Sequence, residues 1–362
     1  MRIGLVTYGR PEERPEQHLY ARHLIACLQE QGDVVEVVAL RRGRFANRLG
    51  QNLDWGVQER LLRLNVDVLV EEERCYAALF SINRTLKGLA RYPIISLVEE
   101  VEAGWGRRGL ERWLCRAVER SYLRGVDGFV FGNASLRQQV RAWAGQNKPG
   151  VVAEPGGDEA TEELGAEPGW RVADCQELTG QPLRLLYVGR LVAQKGLHVL
   201  LQALSHLPAD VATLQVVGRL DEDLGYVRRL KRLVEERFLS GRVHFEGWLS
   251  GAALLAQWRA GQVLVWPALC DGLGVTLREA LRYGVVPLAT RWGASVELIE
   301  HGGNGLLVPA GDERALAGAL FSLANAPSSL LSMSRAARRT YAGLPTWRES
   351  AQTIYRSLLS WF

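Results

Sequence analysis

The chain has little of what would mark a disulfide scaffold, a metal protein, a membrane span or a nucleic-acid binder. Its five cysteines, Cys27, Cys75, Cys115, Cys175 and Cys270, are scattered, odd in number and free of Cys-x-x-Cys spacing. That pattern argues against a disulfide framework and against a zinc site. Histidine is also scarce, and His198, His206, His244 and His301 read as structural, so no metal cluster is expected. No apolar run approaches the length of a bilayer-spanning helix. Met1 to Val6 is a short apolar run followed by polar residues, which reads as a first strand rather than a signal peptide and makes the cytoplasm the expected compartment. Charge of one sign is not in excess: 44 Lys and Arg stand against 40 Asp and Glu, interspersed, for a formal net charge of +4. No global attraction to nucleic acid follows. Internal repeats and low-complexity tracts are absent.

At 362 residues and 47% hydrophobic content, the chain is long enough for two cores. Strand patterns at Ile3–Tyr8, Val34–Leu40, Val66–Val70, Ile94–Val98 and Gly128–Phe131 alternate with helical ones. A second series falls at Leu185–Val188, Thr213–Val217, Val243–Glu246, Val263–Trp266 and Val286–Ala289. Such alternation predicts an α/β protein of two doubly wound domains. Between the two series the sequence from Glu154 to Gln181 turns acidic and rich in Gly and Pro, which marks a boundary. The expected organisation is a first domain at 1–160, a linker at 161–182, a second domain at 183–343 and a terminal helix at 344–362.

The stretch from Val265 to Ala280, V-W-P-A-L-C-D-G-L-G-V-T-L-R-E-A, carries the strongest chemical signal. An apolar strand runs into Asp271-Gly272-Leu273-Gly274, and a helix starting near Val275 then carries Glu279 in its second turn. Glycines let a backbone come close to a ligand, the first amides of a helix attract phosphate, and the carboxylates of Asp271 and Glu279 frame the same place. Carboxylates beside a phosphate site suit sugar hydroxyls, so a nucleotide-sugar fits this chemistry better than a bare anion. Upstream, L-L-Y-V-G-R-L-V-A-Q-K-G ends a buried strand at Gly189 and sets Arg190 and Lys195 in one strand-to-helix loop. Open α/β sheets bind ligands at the carboxyl ends of their strands, which would bring both cations to the phosphates.

G-R-L-V-A-Q-K-G, the acid pair Asp271 and Glu279, and G-A-S-V-E-L-I-E-H-G-G-N-G-L-L-V-P-A-G-D together resemble the retaining glycosyltransferases of the glycogen-synthase and mannosyltransferase group. The likeness is strong from about Leu183 to Leu323 and collinear before that. It implies the GT-B fold, two Rossmann-like domains facing each other across a cleft, with the C-terminal helix returning to the first. It implies a nucleotide-sugar donor held by the second domain through Arg190, Lys195, Asp271 to Val275 and Glu279, and an acceptor received by the first. Lipid-linked, saccharide and small-molecule acceptors are all compatible with it. No metal or other cofactor is expected. His18 matches a histidine that follows the first loop in these families and is a candidate on the acceptor side.

Three departures stand out. The first loop, Gly9-Arg10-Pro11-Glu12-Glu13-Arg14-Pro15, lacks paired glycines, and Val296 precedes Glu297 where the family has proline. After strand Ile94–Val98, where the family commonly places a histidine reaching toward the transferred sugar, the chain has Glu99-Glu100. A neutral histidine donates a hydrogen bond and an ionised glutamate accepts one, so Glu99 is a candidate catalytic residue of altered character. Asp221-Glu222-Asp223 has the spacing of a metal-binding acidic motif but reads as the cap of a helix over Leu224–Phe238. Arg41 to Arg48 interleaves cations with apolar residues, and the helix Arg107–Arg124 carries arginine at helical spacing near Trp113 and Leu114, which suits an anionic membrane surface. The leading reading is a metal-independent retaining hexosyltransferase. Alternatives are a noncatalytic relative that binds nucleotide-sugar or supports a partner enzyme, and a hydrolysing epimerase on the same scaffold.

Overall fold

Short apolar runs, bounded by glycine or charge, form two six-stranded sheets in which every pairing is parallel. The computed structural model describes residues 1–13, 18–101, 109–145, 147–157, 181–269 and 272–361. Contacts divide the chain into one unit of Met1–Gly156 with Pro345–Phe362 and another of Gly157–Leu344. Most of the linker placed at 161–182 lies outside the described residues.

The first unit runs β1 (Arg2–Tyr8), α1 (Leu19–Glu30), β2 (Val34–Leu40), α2 (Phe45–Gly50), α3 (Trp55–Leu62), β3 (Val68–Glu72), α4 (Tyr76–Leu79), α5 (Ile82–Leu89), β4 (Ile94–Val98), α6 (Gly109–Gly125), β5 (Gly128–Phe131), α7 (Ala134–Ala144) and β6 (Gly150–Val152). Its strand order is β2-β1-β3-β4-β5-β6, so the winding reverses between β1 and β3. One face of the sheet packs Val6, Val38, Leu69, Ile94 and Phe129 against Leu79, Ile82, Tyr122 and Val140 of the helices.

The second unit runs β7 (Leu183–Val188), α8 (Leu197–Ser205), β8 (Ala212–Val217), α9 (Leu224–Glu236), β9 (Val243–Gly247), α10 (Gly251–Ala260), β10 (Val263–Trp266), α11 (Val275–Tyr283), β11 (Val286–Thr290), α12 (Ala294–Leu298), β12 (Leu306–Val308), α13 (Glu313–Ala324) and α14 (Pro327–Ala342). Its order is β12-β11-β10-β7-β8-β9, reversing between β7 and β10. Both faces are covered, as a parallel sheet requires. Leu185, Tyr187, Val263 and Val265 meet α8, α9 and α13 on one side, while Leu186, Leu264 and Trp266 meet α10, α11 and α12 on the other.

The chain closes with α15 (Trp347–Trp361), which packs on α1 in the first unit. Trp347 stacks on His23 with ring centroids 4.1 Å apart and meets Tyr20 edge-on at 5.5 Å. Gly156 is glycine because a Cβ there would lie 2.0 Å from the Trp347 amide nitrogen. Ile354 is fully buried under this helix.

Two sequence expectations shift. β3 covers Val68–Glu72 instead of Val66–Val70, because Glu71 and Glu72 find partners inside the fold and extend the strand. The helix expected to reach Phe238 ends at Glu236, since Phe238 adopts φ +55°, a left-handed conformation that closes a helix. Removing the buried side chain of Ile354 should cost about 2–5 kcal/mol. Ile354→Ala is expected to speed amide exchange in α1 and α15 while leaving β7 to β12 protected. Uniform loosening of both units would contradict the assignment of α15 to the first.

Candidate functional site

In the second unit the loops after β7 and β10 meet where the winding reverses, the place at which open α/β sheets take ligands. Their contact is backbone on backbone. Leu269 N donates to Gln194 O at 2.8 Å, and a Cβ on Gly196, whose φ is +71°, would lie 1.9 Å from Pro267 O. The loop after β8 is drawn in equally closely, because a Cβ on Gly218 would come within 2.1 Å of Gly189 O. The sequence therefore needs glycine at these positions for the three loops to converge.

Arg190 and Lys195 lie on the β7 loop and lean in opposite directions. Arg190 places Nε 2.6 Å and Nη2 2.5 Å from Glu222 Oε1, in the loop after β8. Lys195 Nζ sits 5.1 Å from the ring centroid of Trp266 at the end of β10, a cation–π distance. The acidic run Asp221-Glu222-Asp223 is thereby divided. Asp223 Oδ1 caps α9 by accepting from Tyr226 N at 2.9 Å, Asp221 lies 3.8 Å from Arg219, and Glu222 holds Arg190. Among the described residues no group of three or more His, Cys, Asp and Glu side chains is arranged to hold a metal ion.

The turn before α11 is glycine for packing as well as conformation. Gly274 has φ +66°, and a Cβ on it would lie 2.6 Å from Ala294 Cβ. No side chain caps Gly274, and the first turn of α11 carries no acid to compete for an anion. Gly272 is buried, Leu273 and Val275 are half-buried, and Asp271 lies outside the described residues. Glu279 is partly exposed and stands 3.9 Å from Arg282 one turn on.

In the first unit, the residues at the β1/β3 reversal form a polar chain. Arg42 Nε donates to Tyr8 O at 2.9 Å and its Nη2 lies 3.2 Å from His18 Nε2. A guanidinium only donates, so Nε2 accepts and the hydrogen sits on Nδ1, which donates to Glu72 Oε1 at 2.7 Å. Both ring nitrogens of the candidate His18 are thus engaged within the fold, and the residue is 2% exposed. Glu72 Oε2 lies 3.6 Å from Arg74 Nη2, which also stands 3.4 Å from Glu99 Oε2. Sequence reasoning found His18 and Glu99 but missed Arg42, Glu72 and Arg74 between them. The available signal was the run Glu71-Glu72-Glu73-Arg74, charge placed directly on the end of a buried strand.

Burial sets the ionisation here. Glu71 is fully buried and its carboxyl is pushed up to about 8, chiefly by loss of water, although Asn83 Nδ2 donates to its Oε2 at 2.8 Å. Glu99 is pushed up to about 7, first by burial; Arg74 opposes the shift and the charges of Glu72 and Glu100 add to it. Burial likewise lifts the Cys75 thiol well above its ordinary range. Cys27, Cys75 and Cys115 are free thiols.

Comparison with known proteins adds two findings. The whole chain superposes on the sucrose-phosphate synthase of Thermosynechococcus elongatus with a TM-score of 0.78 at 19% identity, covering 100% of both chains. It superposes on the Anabaena protein HepE, solved in complex with UDP-glucose, with a TM-score of 0.76 at 18% identity, covering 99% and 100%. These likenesses define the fold as GT-B, two Rossmann-like α/β units. Residues 175–340 match the family described as glycosyl transferases group 1. Glycogen synthase of Mycobacterium tuberculosis is 26% identical over 267 residues, a match covering 72% of this chain and 61% of that enzyme. The matched part is thus about three fifths of that relative's length.

Glu71 couples stability to pH with a definite sign. Its folded value of about 8 lies above the ordinary 4.5, so the folded state holds a proton that the unfolded chain has lost in between. The stabilisation is complete below pH 4.5 and disappears as pH rises through 8. The melting temperature is expected to fall between pH 5 and 8, and Glu71→Gln, which can still accept from Asn83, should flatten that fall. An unchanged slope in calorimetry would contradict the buried neutral acid.

Proposed function

We infer that the chain is a retaining hexosyltransferase that uses a nucleoside diphosphate sugar and no metal ion. The observation that carries this reading is the placing of Arg190 and Lys195 on a loop in backbone contact with Pro267 and Leu269, which follow β10 on the way to α11. Two cations and a helix start with no acid in its first turn supply positive potential where a diphosphate would lie, the service that a metal performs elsewhere. They would neutralise the charge that grows on the departing diphosphate. Arg190 exchanges Glu222 for phosphate oxygens when the donor enters, and Lys195 turns from the Trp266 ring. Glu279 contacts the ribose and the residues from Asp271 to Val275 contact the sugar and phosphates, as the resemblance implies. The bound UDP-glucose of HepE, a protein of the same fold, supports a donor of this class. No side chain in the second-unit site is an obvious nucleophile, so the acceptor hydroxyl attacks from the face that the diphosphate leaves. His18 belongs to the acceptor side through its place in the Arg42–Glu72 chain, and Glu99, joined to that chain through Arg74, is the catalytic candidate of the same unit.

The acceptor reading is a lipid-linked saccharide taken up at an anionic membrane surface on the cytoplasmic side. Among the described residues no single helix is long and apolar enough to cross a membrane. What the first unit does expose is apolar side chains among arginines: Leu110 is 78%, Trp113 65%, Trp55 80% and Leu53 82% exposed. Arg112, Arg116, Arg120 and Arg124 follow at four-residue intervals along α6, all exposed, while Glu119 is buried. Arg120 also lies 5.3 Å from the Trp143 ring. Of the segment from Arg41 to Arg48, Arg42 and Arg48 are engaged with Tyr8, and Arg41 and Arg44 reach the surface. Arg107 and Arg108 lie outside the described residues.

Thermal shift and calorimetry with UDP-, GDP- and ADP-sugars in chelator test the donor site, since a ligand bound only by the folded state raises the melting temperature. Binding is expected without divalent metal. Each lost charge-assisted contact is worth about 1.5–3 kcal/mol, so Arg190→Ala and Lys195→Ala should each weaken donor binding by tenfold or more at unchanged stability. Glu279→Gln should weaken nucleoside contacts selectively. Three variants that bind like the parent, or an absolute need for magnesium or manganese, would overturn the reading.

Cosedimentation tests the membrane face. Phosphatidylglycerol vesicles should retain the protein and phosphatidylcholine vesicles should not. At about 1 kcal/mol per juxtamembrane cation, Arg116→Glu is expected to weaken binding several-fold, with a further loss from Trp113→Ser. Equal binding to both vesicle types would refute an anionic surface.

A further inference from the structure

Arg190 is fixed at its backbone and half-exposed at its side chain. Its carbonyl accepts from Tyr187 Oη at 2.9 Å, on a tyrosine that is itself fully buried, while its guanidinium side is 50% exposed. That guanidinium directs two donors at one acceptor: Nε lies 2.6 Å and Nη2 2.5 Å from Glu222 Oε1. Glu222 is the better buried partner, 19% exposed, and the chain on both sides of it is tied down. Gly218, at the start of its loop, donates to Gly247 O at 2.9 Å and packs on Gly189 O, and Asp223, directly after it, caps α9. The carboxylate is therefore tethered where the guanidinium can return to it. Lys195 on the same loop has a neutral counterpart, the Trp266 ring at 5.1 Å. A carboxylate and a phosphate offer a guanidinium the same contact, an anionic oxygen that accepts its N–H groups. A tethered anion competes for that contact at the high effective concentration of an intramolecular partner.

We propose that Glu222 is an intramolecular competitor for Arg190 that speeds release of the nucleoside diphosphate after sugar transfer. The inference rests on the donor reading, in which Arg190 meets phosphate, and adds to it a residue that itself touches no substrate. Cleavage leaves the diphosphate with one more negative charge than it had in the donor, so the cations that assist departure also hold the product. Release is then the step that needs help, and it limits turnover in many enzymes. When Arg190 lets go of a phosphate oxygen, Glu222 takes the freed N–H groups before the phosphate can rebind. With Arg190 neutralised, the product keeps fewer of the contacts that retained it. Glu222 is thus a positioning residue, acting through Arg190 on the rate at which the site empties.

Binding kinetics of UDP, GDP and ADP on the immobilised full chain, in chelator, test this. Glu222→Gln keeps the shape and an acceptor oxygen but loses the charge. The nucleotide that binds the parent should leave Glu222→Gln about two- to fivefold more slowly, the range set by the modest worth of an exposed ion pair. Its Kd should fall to match, with the melting temperature of the free protein unchanged. Arg190→Ala removes the group competed for, so adding Glu222→Gln to it should change dissociation by less than about 1.5-fold. Equal slowing in that background would mean that Glu222 simply repels the diphosphate, and would overturn the proposal. Faster dissociation from Glu222→Gln, the result expected of a carboxylate that aims Arg190 at the ligand, would overturn it too. If Arg190→Ala and Lys195→Ala both bind as the parent does, the donor reading falls and the competitor with it. If both weaken binding while Glu222→Gln leaves dissociation unchanged, the competitor alone falls. A parent that binds none of the three nucleotides overturns both.

Discussion

Close backbone approach at Gly196 governs the second unit. A Cβ on Gly196 would lie 1.9 Å from Pro267 O, so any other residue would push the β7 loop off the β10 loop and separate the cations from the start of α11. Gly218 against Gly189 O and Gly274 against Ala294 Cβ repeat the constraint on either side. Glycine here is less a source of flexibility than of proximity. The polypeptide gives up side chains at three positions so that the loops after β7, β8 and β10 and the turn before α11 can pack closely.

The first unit solves a different problem. Its sheet ends in carboxyl groups, Glu71 and Glu72 on β3 and Glu99 after β4, all nearly or fully buried. Buried charge is tolerated only when it is paired or neutralised, and each acid takes a different route. Glu72 is paired twice, by His18 and Arg74. Glu71 takes a proton and an amide partner, Asn83. Glu99 has half of an arginine and an oxygen with no described partner. The pairing is thus graded, from two partners at Glu72 to one long contact at Glu99.

The central strands were legible because they are buried on both faces and read as unbroken apolar runs, as in β1, β4, β5 and β10. The edge strands β6 and β12 were not expected. Each has three residues, too few for any periodicity, and exists because Phe129 to Phe131 and Leu288 to Thr290 offer a free edge. The Gly-rich turns could be read because glycine has local backbone consequences. The partners of the charged side chains could not. Glu222 is one acid in a run of three, and only the fold shows that Asp223 caps α9 while Glu222 turns back to Arg190. The shift of β3 has the same origin: charge normally ends a strand, and nothing local announces that His18, 54 residues earlier, will satisfy Glu72.

Arg190 and Glu99 show two different ways in which charge is paired in this fold. Arg190 is half-exposed and neutralised by Glu222 at hydrogen-bond distance, a surface pair whose net worth is small because water competes for both partners. Breaking that pair therefore costs little. Glu99 has no such surface partner to release. Its contact with Arg74 at 3.4 Å is long for a charge-assisted bond, and its second oxygen has no described partner to lose. The two residues thus differ in kind: Arg190 holds a short pair that water weakens, and Glu99 a long contact that burial shields from water.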